Sequence, residues 1–261
     1  MNWCLYALPS GTGRGPAIWC HGLLPDYHCF KGSYGGYAFP VYDRRQGPDA
    51  ANLSPALLAG LGAAYGEPVA PEDAFDAVLC LLSAASYTRR FAEDLEDVFP
   101  HIPFPANQVV FRDAVRIGRE IRSVETFARV PLTRFRPNTL AHQANHVTGA
   151  PVAPVAYADG EVVLGADGSA RLTGIPQPVW DFAVSGYRVL PRWIEGRIGQ
   201  PADLALIRSF RDISARITEL IHHFDSADLV LEATLADTLT REELGFAAPA
   251  EPEIGDAESE R

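Results

Sequence analysis

The sequence predicts an α+β fold with a strand-rich N-terminal segment, central short β-hairpins, a helical C-terminal third and a disordered acidic tail. Three observations lead to this prediction. Short β-favouring runs separated by Gly-rich turns fill the first forty-odd residues, helical periodicity follows from residue 54, and hairpin-turn dipeptides punctuate 155–173. The chain has 261 residues, 47% of them hydrophobic, so it can bury a sizeable core, whereas 22 glycines and 21 prolines argue against a plain helical bundle.

In residues 1–107 the patterns predict strands and then helices. The β-favouring runs are 3–8, 17–21 and 37–42. Ser54 as N-cap and Pro55 in the first turn predict a helix over 56–64, and Pro71 opens a second helix. A third helix is predicted over 86–98, where Tyr87, Phe91 and Leu95 form one apolar stripe. Three prolines within 99–105 then force an extended segment.

Residues 1–107 and residues 108–245 are predicted to be the first and second parts of one module. Asn107 caps a helix that carries arginines on one face, and strands over 155–157, 161–164 and 170–173 are joined by Asp159-Gly160 and Asp167-Gly168. Further helices are predicted over 178–184, 190–197 and 201–224, with His222-His223 at the end of the last one. Residues 246–261 are acidic, alanine-rich and broken by proline, so they are predicted to be a disordered tail.

The charge is distributed unevenly around a net value of −11. Residues 108–220 carry 14 bases against 11 acids, whereas 221–261 carry 2 bases against 11 acids. This balance does not favour non-specific nucleic-acid binding, but it leaves room for specific binding by a small basic face. No apolar run approaches the ~20 residues of a membrane helix, and the first residues show no secretory signal. Four cysteines without a CxxC motif favour reduced thiols and a cytoplasmic location.

Enzyme motifs are incomplete along the whole chain. Gly11-Thr12-Gly13-Arg14-Gly15 lacks the last glycine of a dinucleotide loop, and the segment His142 to His146 has Gln where a zinc protease needs Glu. Two Cys-His pairs, Cys20-His21 and His28-Cys29, could close a tetrahedral zinc site, but their spacing is not the usual one. We therefore expect no catalytic residue, no metal and no cofactor, and keep a small metal-dependent enzyme as an alternative.

Two stretches together resemble a known family. Phe99-Pro100-His101-Ile102-Pro103-Phe104-Pro105 follows the predicted helix with Ser86 and Tyr87, and later come Gly174-Ile175-Pro176, Trp180 and Ser185-Gly186-Tyr187-Arg188-Val189-Leu190. In composition and order these are similar to the C-terminal region of type ISP restriction–modification enzymes and related N6-adenine DNA methyltransferases. The resemblance covers about residues 20–245 and places Phe39-Pro40-Val41-Tyr42 where that family has a similar run.

This resemblance implies a DNA target-recognition, or specificity, module that lacks a catalytic domain of its own. In that family the cofactor-binding FxGxG motif and the NPPY-type catalytic motif lie upstream, and neither occurs in this sequence. The implied partners are double-stranded DNA and a methyltransferase or nuclease polypeptide, with no membrane. The resemblance therefore implies that this chain is either a split subunit or a truncated gene remnant. The alternative from another class is a structural or scaffold protein, or an inactive fragment, that does not read DNA.

A target-recognition module needs side chains that donate to base edges and to phosphates. The candidates lie in a Gly-rich loop, just after a strand, and in the long segment without periodicity after residue 131, whose alternative interpretation is an ordinary solvated loop. They are Lys31, Ser33, Tyr34, Arg44, Arg45, Arg134, Arg136, Asn138, Gln143 and Asn145. Trp180, Tyr187 and Trp193 stand at helical spacings, which predicts core packing rather than base stacking.

Overall fold

The computed structural model describes residues 2–26, 29, 35–131, 149, 151–165 and 171–247. The chain begins with a three-stranded antiparallel sheet in which β1 (Cys4–Ala7) lies between β2 (Ile18–His21) and β3 (Tyr37–Pro40). Leu5 of β1 faces Cys20 on one side and Phe39 on the other. All four residues of β1 are buried, as is typical of a central strand. The strand-rich N-terminal segment that the sequence predicts is confirmed.

Four helices follow the first sheet: α1 (Pro55–Tyr65), α2 (Pro71–Ser83), α3 (Ala85–Arg90) and α4 (Asp94–Asp97). The prediction of one helix over 86–98 is wrong, because the helix is interrupted after Arg90. At Phe91 the backbone leaves the helical geometry, with φ −108° and ψ 26°. The N–H of Gly11 donates to the carbonyls of Leu95 and Glu96, at 2.9 and 3.1 Å, which satisfies carbonyls at the end of α4. Tyr87 and Leu95 are nevertheless buried, as the apolar stripe predicts.

Helix α5 (Gln108–Glu125) packs along α2. Its first turn is capped as predicted, since the side chain of Asn107 accepts a hydrogen bond of 2.8 Å from the N–H of Val109. The two helices cross at Gly118, where a Cβ atom would lie only 1.8 Å from the carbonyl oxygen of Asp76. A residue without a side chain is what allows this close approach.

The second sheet is antiparallel and joins β4 (Val152–Ala158), β5 (Glu161–Gly165) and β6 (Arg171–Thr173). Asp159 and Gly160 both have positive φ, 51° and 80°, which is the type I′ geometry that their dipeptide predicts. The second predicted turn, at 167–168, lies outside the described residues.

The region after this sheet departs from the prediction of a helix over 178–184. Helix α6 (Gln177–Trp180) ends early, and β7 (Ala183–Val184) pairs with β8 (Tyr187–Arg188) in a hairpin. The cause is the turn at Ser185 and Gly186, whose φ angles of 46° and 84° reverse the chain. Helix α7 (Val189–Glu195) follows and matches the predicted helix over 190–197 within two residues.

Helix α8 (Leu204–Ala236) has 33 residues and is much longer than the predicted 201–224. His222-His223 therefore lie inside the helix, and their predicted place at its C-terminal dipole is wrong. Beyond Phe224 the helix continues to bury one stripe, Ala227, Val230, Leu231 and Thr234, at helical spacing. The helical C-terminal third is confirmed, whereas residues 248–261 of the predicted disordered tail lie outside the described residues.

One hydrophobic cluster joins residues from before and after residue 107. Trp3 of the first strand region meets Phe75 of α2 edge to face at 5.7 Å, and Phe182 stacks on Phe224 of α8 at 5.9 Å. Trp180 is buried and Trp193 packs against the cluster, as the sequence predicts. None of the helices in the described part of the chain is both long and apolar enough to cross a membrane.

Candidate nucleic-acid interface

Most of the predicted DNA-contacting residues lie outside the described part of the chain, namely Lys31, Ser33, Tyr34, Arg134, Arg136, Asn138, Gln143 and Asn145. Arg44 and Arg45 are described and exposed, on the segment that follows β3. Arg45 donates from Nε and Nη2 to the two carboxylate oxygens of Asp43, at 2.8 and 2.9 Å. This bidentate pair holds the pKa of Asp43 well below its usual range. Arg44 has no carboxylate within 4 Å among the described residues.

The chain that enters the long segment 132–148 is fixed to α8 by two arginines. Buried Arg216 of α8 donates from Nη1 to the carbonyls of Val124 and Arg129, at 3.0 and 2.9 Å, and its guanidinium lies 4.1 Å from the ring centre of Phe127. The guanidinium of Arg129 in turn pairs with the fully buried carboxylate of Glu219. The last residues before the segment are therefore held against the middle of α8.

The described residues that follow segment 132–148 are hydrogen-bonded to residues just before the start of α8. The N–H of Gly149 donates to the carbonyl of Ala202 at 3.2 Å, and the N–H of Val152 donates to the carbonyl of Gln200 at 2.8 Å. Leu204, the first residue of α8, and Arg216 are separated by roughly 18 Å at 1.5 Å per residue. The residues before segment 132–148 are therefore hydrogen-bonded to α8, and the residues after it are hydrogen-bonded to the stretch just before α8. This segment carries Arg134, Arg136, Asn138, Gln143 and Asn145.

The arginine face of α5 is engaged in ion pairs. Each of its four arginines has a carboxylate partner with N···O distances between 2.7 and 3.0 Å. The pairs are Arg112–Glu67, Arg116–Asp113, Arg119–Asp73 and Arg122–Asp76. Asp76 is fully buried and takes two bonds from Arg122, so this last pair joins α5 to α2 inside the protein. The most arginine-rich helix is therefore largely neutralised.

A different group of arginines surrounds the hairpin of β7 and β8. A cleft of about 500 Å³ lies here, lined by Cys29, Tyr187, Arg188, Val189, Arg192, Glu195 and Gly196. Arg188 pairs with Asp181 at 2.6 Å, and the guanidinium of Arg192 lies 4.9 Å from the ring centre of Tyr187. The sequence analysis missed this site because it assigned Tyr187 to core packing from its helical spacing to Trp180 and Trp193. The available signal was the turn dipeptide Ser185-Gly186 directly before it.

The glycine-rich loop between β1 and β2 packs against the same hairpin. A Cβ atom at Gly15 would lie 1.9 Å from the carbonyl oxygen of Ala183, and one at Gly13 would lie 3.0 Å from Cα of Gly186. Ser185 and Gly186 donate their N–H groups to the carbonyls of Pro16 and Arg14, at 3.1 and 2.7 Å. These glycines therefore serve close backbone packing, and the contact brings Arg14 to the hairpin.

Burial determines the protonation of the cysteines and His21 near the first sheet. Cys4 and Cys20 are buried, burial raises the pKa of Cys4 to about 11, and burial lowers the pKa of His21. The thiol of Cys29 lies 3.7 Å from Nε2 of His21, while His28 is outside the described residues. Within the described ranges, no three His, Cys, Asp or Glu side chains are grouped so that they could hold a metal.

The fold places the chain in a class of α+β domains found in restriction–modification enzymes. The family model described as the Type ISP C-terminal specificity domain matches residues 1–222, so the chain belongs to this family. The family resemblance stated from the sequence is confirmed, and the match covers residues 1–222 where the sequence predicted about 20–245. No curated protein matches this sequence.

Solved structures with a similar fold include two complexes with DNA and one with a DNA substrate mimic. The ATP-dependent Type ISP restriction-modification enzyme LlaBIII bound to DNA has a TM-score of 0.58 and 16% identity over 89% of this chain. The DrdV–DNA complex has a TM-score of 0.59 and 20% identity over 96% of this chain. A nuclease-deletion mutant of the Type ISP enzyme LlaGI, in complex with a DNA substrate mimic, has a TM-score of 0.51 and 16% identity over 89% of this chain. The match spans 16%, 25% and 18% of those three chains, respectively.

Proposed function

We propose that this chain is the DNA target-recognition module of a restriction–modification or DNA adenine methyltransferase system, and that it works with a separate methyltransferase or nuclease polypeptide. The observation that carries the proposal is the match of residues 1–222 to a specificity-domain family. The match spans only 16–25% of the three similar structures, so the region described here corresponds to one part of each of those proteins. Free cysteines favour the cytoplasm as the place of this function.

The segment 132–148 is the part that we propose reads DNA. It contains Arg134, Arg136, Asn138, Gln143 and Asn145, and these residue types form the bidentate pairs by which proteins recognise guanine and adenine. Support comes from the two described ends of the segment, which are hydrogen-bonded to α8 and to the residues before it. Fixed ends reduce the conformational entropy that a recognition segment loses on binding.

A second candidate function is protein binding without DNA reading. The observation that favours it is an apolar groove of about 390 Å³ beside α3 and α4, lined by Tyr87, Phe91, Leu95, Val98 and Ile102 among others. Val98 is 43% exposed and Ile102 is 37% exposed. Exposed apolar side chains beside a groove are typical of protein contact surfaces. A scaffold protein would use this groove and show no affinity for duplex DNA.

The test is a salt titration of binding to duplex DNA, with and without a methyltransferase partner. Replacing Arg134 and Arg136 by alanine is expected to weaken binding, because each lost phosphate contact makes the slope of log K against log salt shallower by ~0.9. An arginine that reads a base would instead cost ~1–3 kcal/mol at one base position and relax the preference there.

The matched control removes charge from the other end of the chain. Deleting residues 247–261 takes away Glu251, Glu253, Asp256, Glu258 and Glu260 against Arg261, so affinity should stay equal or rise slightly. Loss of binding on this deletion, together with wild-type binding by the double arginine variant, would show that segment 132–148 is not the DNA-contacting part. If neither the protein nor its complex binds duplex DNA at low salt, the scaffold function replaces this proposal.

A further inference from the structure

The hairpin of β7 and β8 gathers three exposed arginines from distant parts of the sequence. Arg14 comes from the loop between β1 and β2, and its carbonyl accepts the N–H of Gly186 at 2.7 Å. Arg188 belongs to β8, and Arg192 lies in the last turn of α7. Both arginines line a cleft of about 500 Å³. We call Arg14, Arg188 and Arg192 the hairpin arginines.

Two of the three hairpin arginines lack a carboxylate partner among the described residues. Arg188 pairs with Asp181 at 2.6 Å, and Glu195 is the acid that lines the cleft. Neither Arg14 nor Arg192 has a carboxylate within 4 Å in the part of the chain that the structure describes. The α5 arginines differ, because each of them has such a partner. Two exposed guanidiniums without acids favour an anionic ligand.

Aromatic rings hold two of these guanidiniums by their faces. Arg192 lies 4.9 Å from the ring centre of Tyr187, and Arg188 lies 5.5 Å from that of Trp180. Trp180 is itself stacked on Tyr157, with ring centres 4.8 Å apart and planes 9° apart. A guanidinium stacked on a ring keeps its N–H donors free, since these donors point outward in its own plane. Such an arginine loses less conformational entropy when it forms a bidentate bond to phosphate.

We propose that the hairpin arginines bind phosphate groups of the DNA backbone and so position the module on the duplex without reading its sequence. This inference rests on the proposed function, and it assigns the backbone contact to a surface separate from segment 132–148. The exposed guanidiniums without carboxylate partners favour the charged phosphate oxygens as ligands. Phosphate contacts fix the register of a protein on DNA.

The test compares the full chain with its Arg14→Ala/Arg192→Ala variant on a labelled mixed-sequence duplex, in the presence of the partner polypeptide where binding requires it. Loss of two phosphate contacts should make the slope of log K against log salt shallower by ~1.8, equally for duplexes of different sequence. The control is Arg112→Ala/Arg116→Ala, which removes the same charge from arginines that are paired with Glu67 and Asp113. Its slope should equal that of the wild type.

A single conservative variant keeps the test independent of folding. Arg192→Lys retains the charge but loses the planar fork over Tyr187, so its affinity should fall with little change in the salt slope. The inference is overturned if the double alanine variant keeps the wild-type slope, if the α5 control loses as much, or if the loss is confined to one base position. Absence of duplex binding by the wild type would instead remove the proposed function, and this inference with it.

Discussion

Replacing Gly118 by alanine should destabilise the protein, although this change normally strengthens a helix. In a helix interior alanine is favoured over glycine by ~1 kcal/mol. At Gly118 of α5, however, the new Cβ atom would lie 1.8 Å from the carbonyl oxygen of Asp76 and 2.5 Å from its carbonyl carbon. Both atoms belong to the backbone of α2, so no flexible side chain can move aside.

The magnitude follows from how far the helices must separate. Ordinary contact begins near 3.4 Å, so α2 and α5 must move apart by roughly 1.5 Å, in a core packed at crystal-like density. Overpacking of this kind costs ~1–3 kcal/mol and occasionally more. The movement also stretches the hydrogen bonds between Arg122 and Asp76, now 2.7 and 3.0 Å long. Two backbone contacts this short place the cost near the upper end of that range, so a net loss of about 2 kcal/mol remains after the propensity gain. Such a loss lowers Tm by about 4–8 °C in a chain of this size.

Gly62 of α1 provides the matched control for this substitution. A Cβ atom there would lie 3.4 Å from the carbonyl oxygen of Glu67 and 3.8 Å from Cα of Pro68, which is ordinary contact. Gly62→Ala should therefore raise the free energy of unfolding by ~0.5–1 kcal/mol. The assay is urea unfolding of both variants and the wild type, followed by far-UV circular dichroism. If Gly118→Ala raised the midpoint as Gly62→Ala does, the close crossing of α2 and α5 would be refuted.

Four further predictions follow from the described contacts and from the sequence. Arg122→Met leaves the buried carboxylate of Asp76 with only a 3.6 Å contact to Arg119, and should lower the free energy of unfolding by ~3 kcal/mol or more. Arg116→Met breaks an exposed ion pair and should lower it by less than ~1 kcal/mol in the same urea assay. Burial raises the pKa of Glu125 well above its usual range, so the native state keeps a proton that the unfolded chain releases, and stability falls as pH rises between the two pKa values. Glu125→Gln should therefore increase the urea midpoint at neutral and alkaline pH and leave it nearly unchanged in acid; an equal gain at every pH would contradict this origin. Asn107→Ala removes the cap of α5 and should cost ~1 kcal/mol, measured as a lower Tm. The purified chain alone should transfer no methyl group from S-adenosylmethionine to DNA, and robust methylation would contradict the proposed division of labour between two polypeptides.

The parts of the fold that local sequence determines were predictable. Pro55 begins α1, Asn107 caps α5, and Asp159-Gly160 form the turn between β4 and β5, each through the φ angles or hydrogen bonds of a few neighbouring residues. The end of α8 was obscured because acidic residues after Phe224 mask an apolar stripe that continues to Thr234.

Local sequence indicates only the turn of the β7–β8 hairpin, at Ser185-Gly186, because the support for its two strands comes from far along the chain. Strands of two residues are not stable by themselves, and here the loop that contains Gly13 and Gly15 binds the turn residues Ser185 and Gly186. The same separation hides the site. Arg14 and Arg192 are 178 positions apart in the sequence, and only the tertiary packing shows that the backbone of Arg14 contacts the hairpin that precedes Arg192.

The position of the acidic groups is compatible with the proposed DNA contact of a chain whose net charge is −11. Along α8, residues 204–220 carry Arg208, Arg211 and Arg216 against Asp212 and Glu219, whereas residues 221–236 carry Asp225, Asp228 and Glu232 without a base. At 1.5 Å per residue, Arg208 and Asp228 lie ~30 Å apart. The Debye length is about 8 Å at physiological salt and about 30 Å at 0.01 M salt. The acidic residues of 221–236 are therefore screened from the basic residues of 204–220 at physiological salt but not at 0.01 M salt. Asp225→Asn/Glu232→Gln should therefore leave duplex binding unchanged at physiological salt and strengthen it at low salt. An equal gain in both conditions would mean that these acids lie beside the DNA, and that the contact surface extends to the far end of α8.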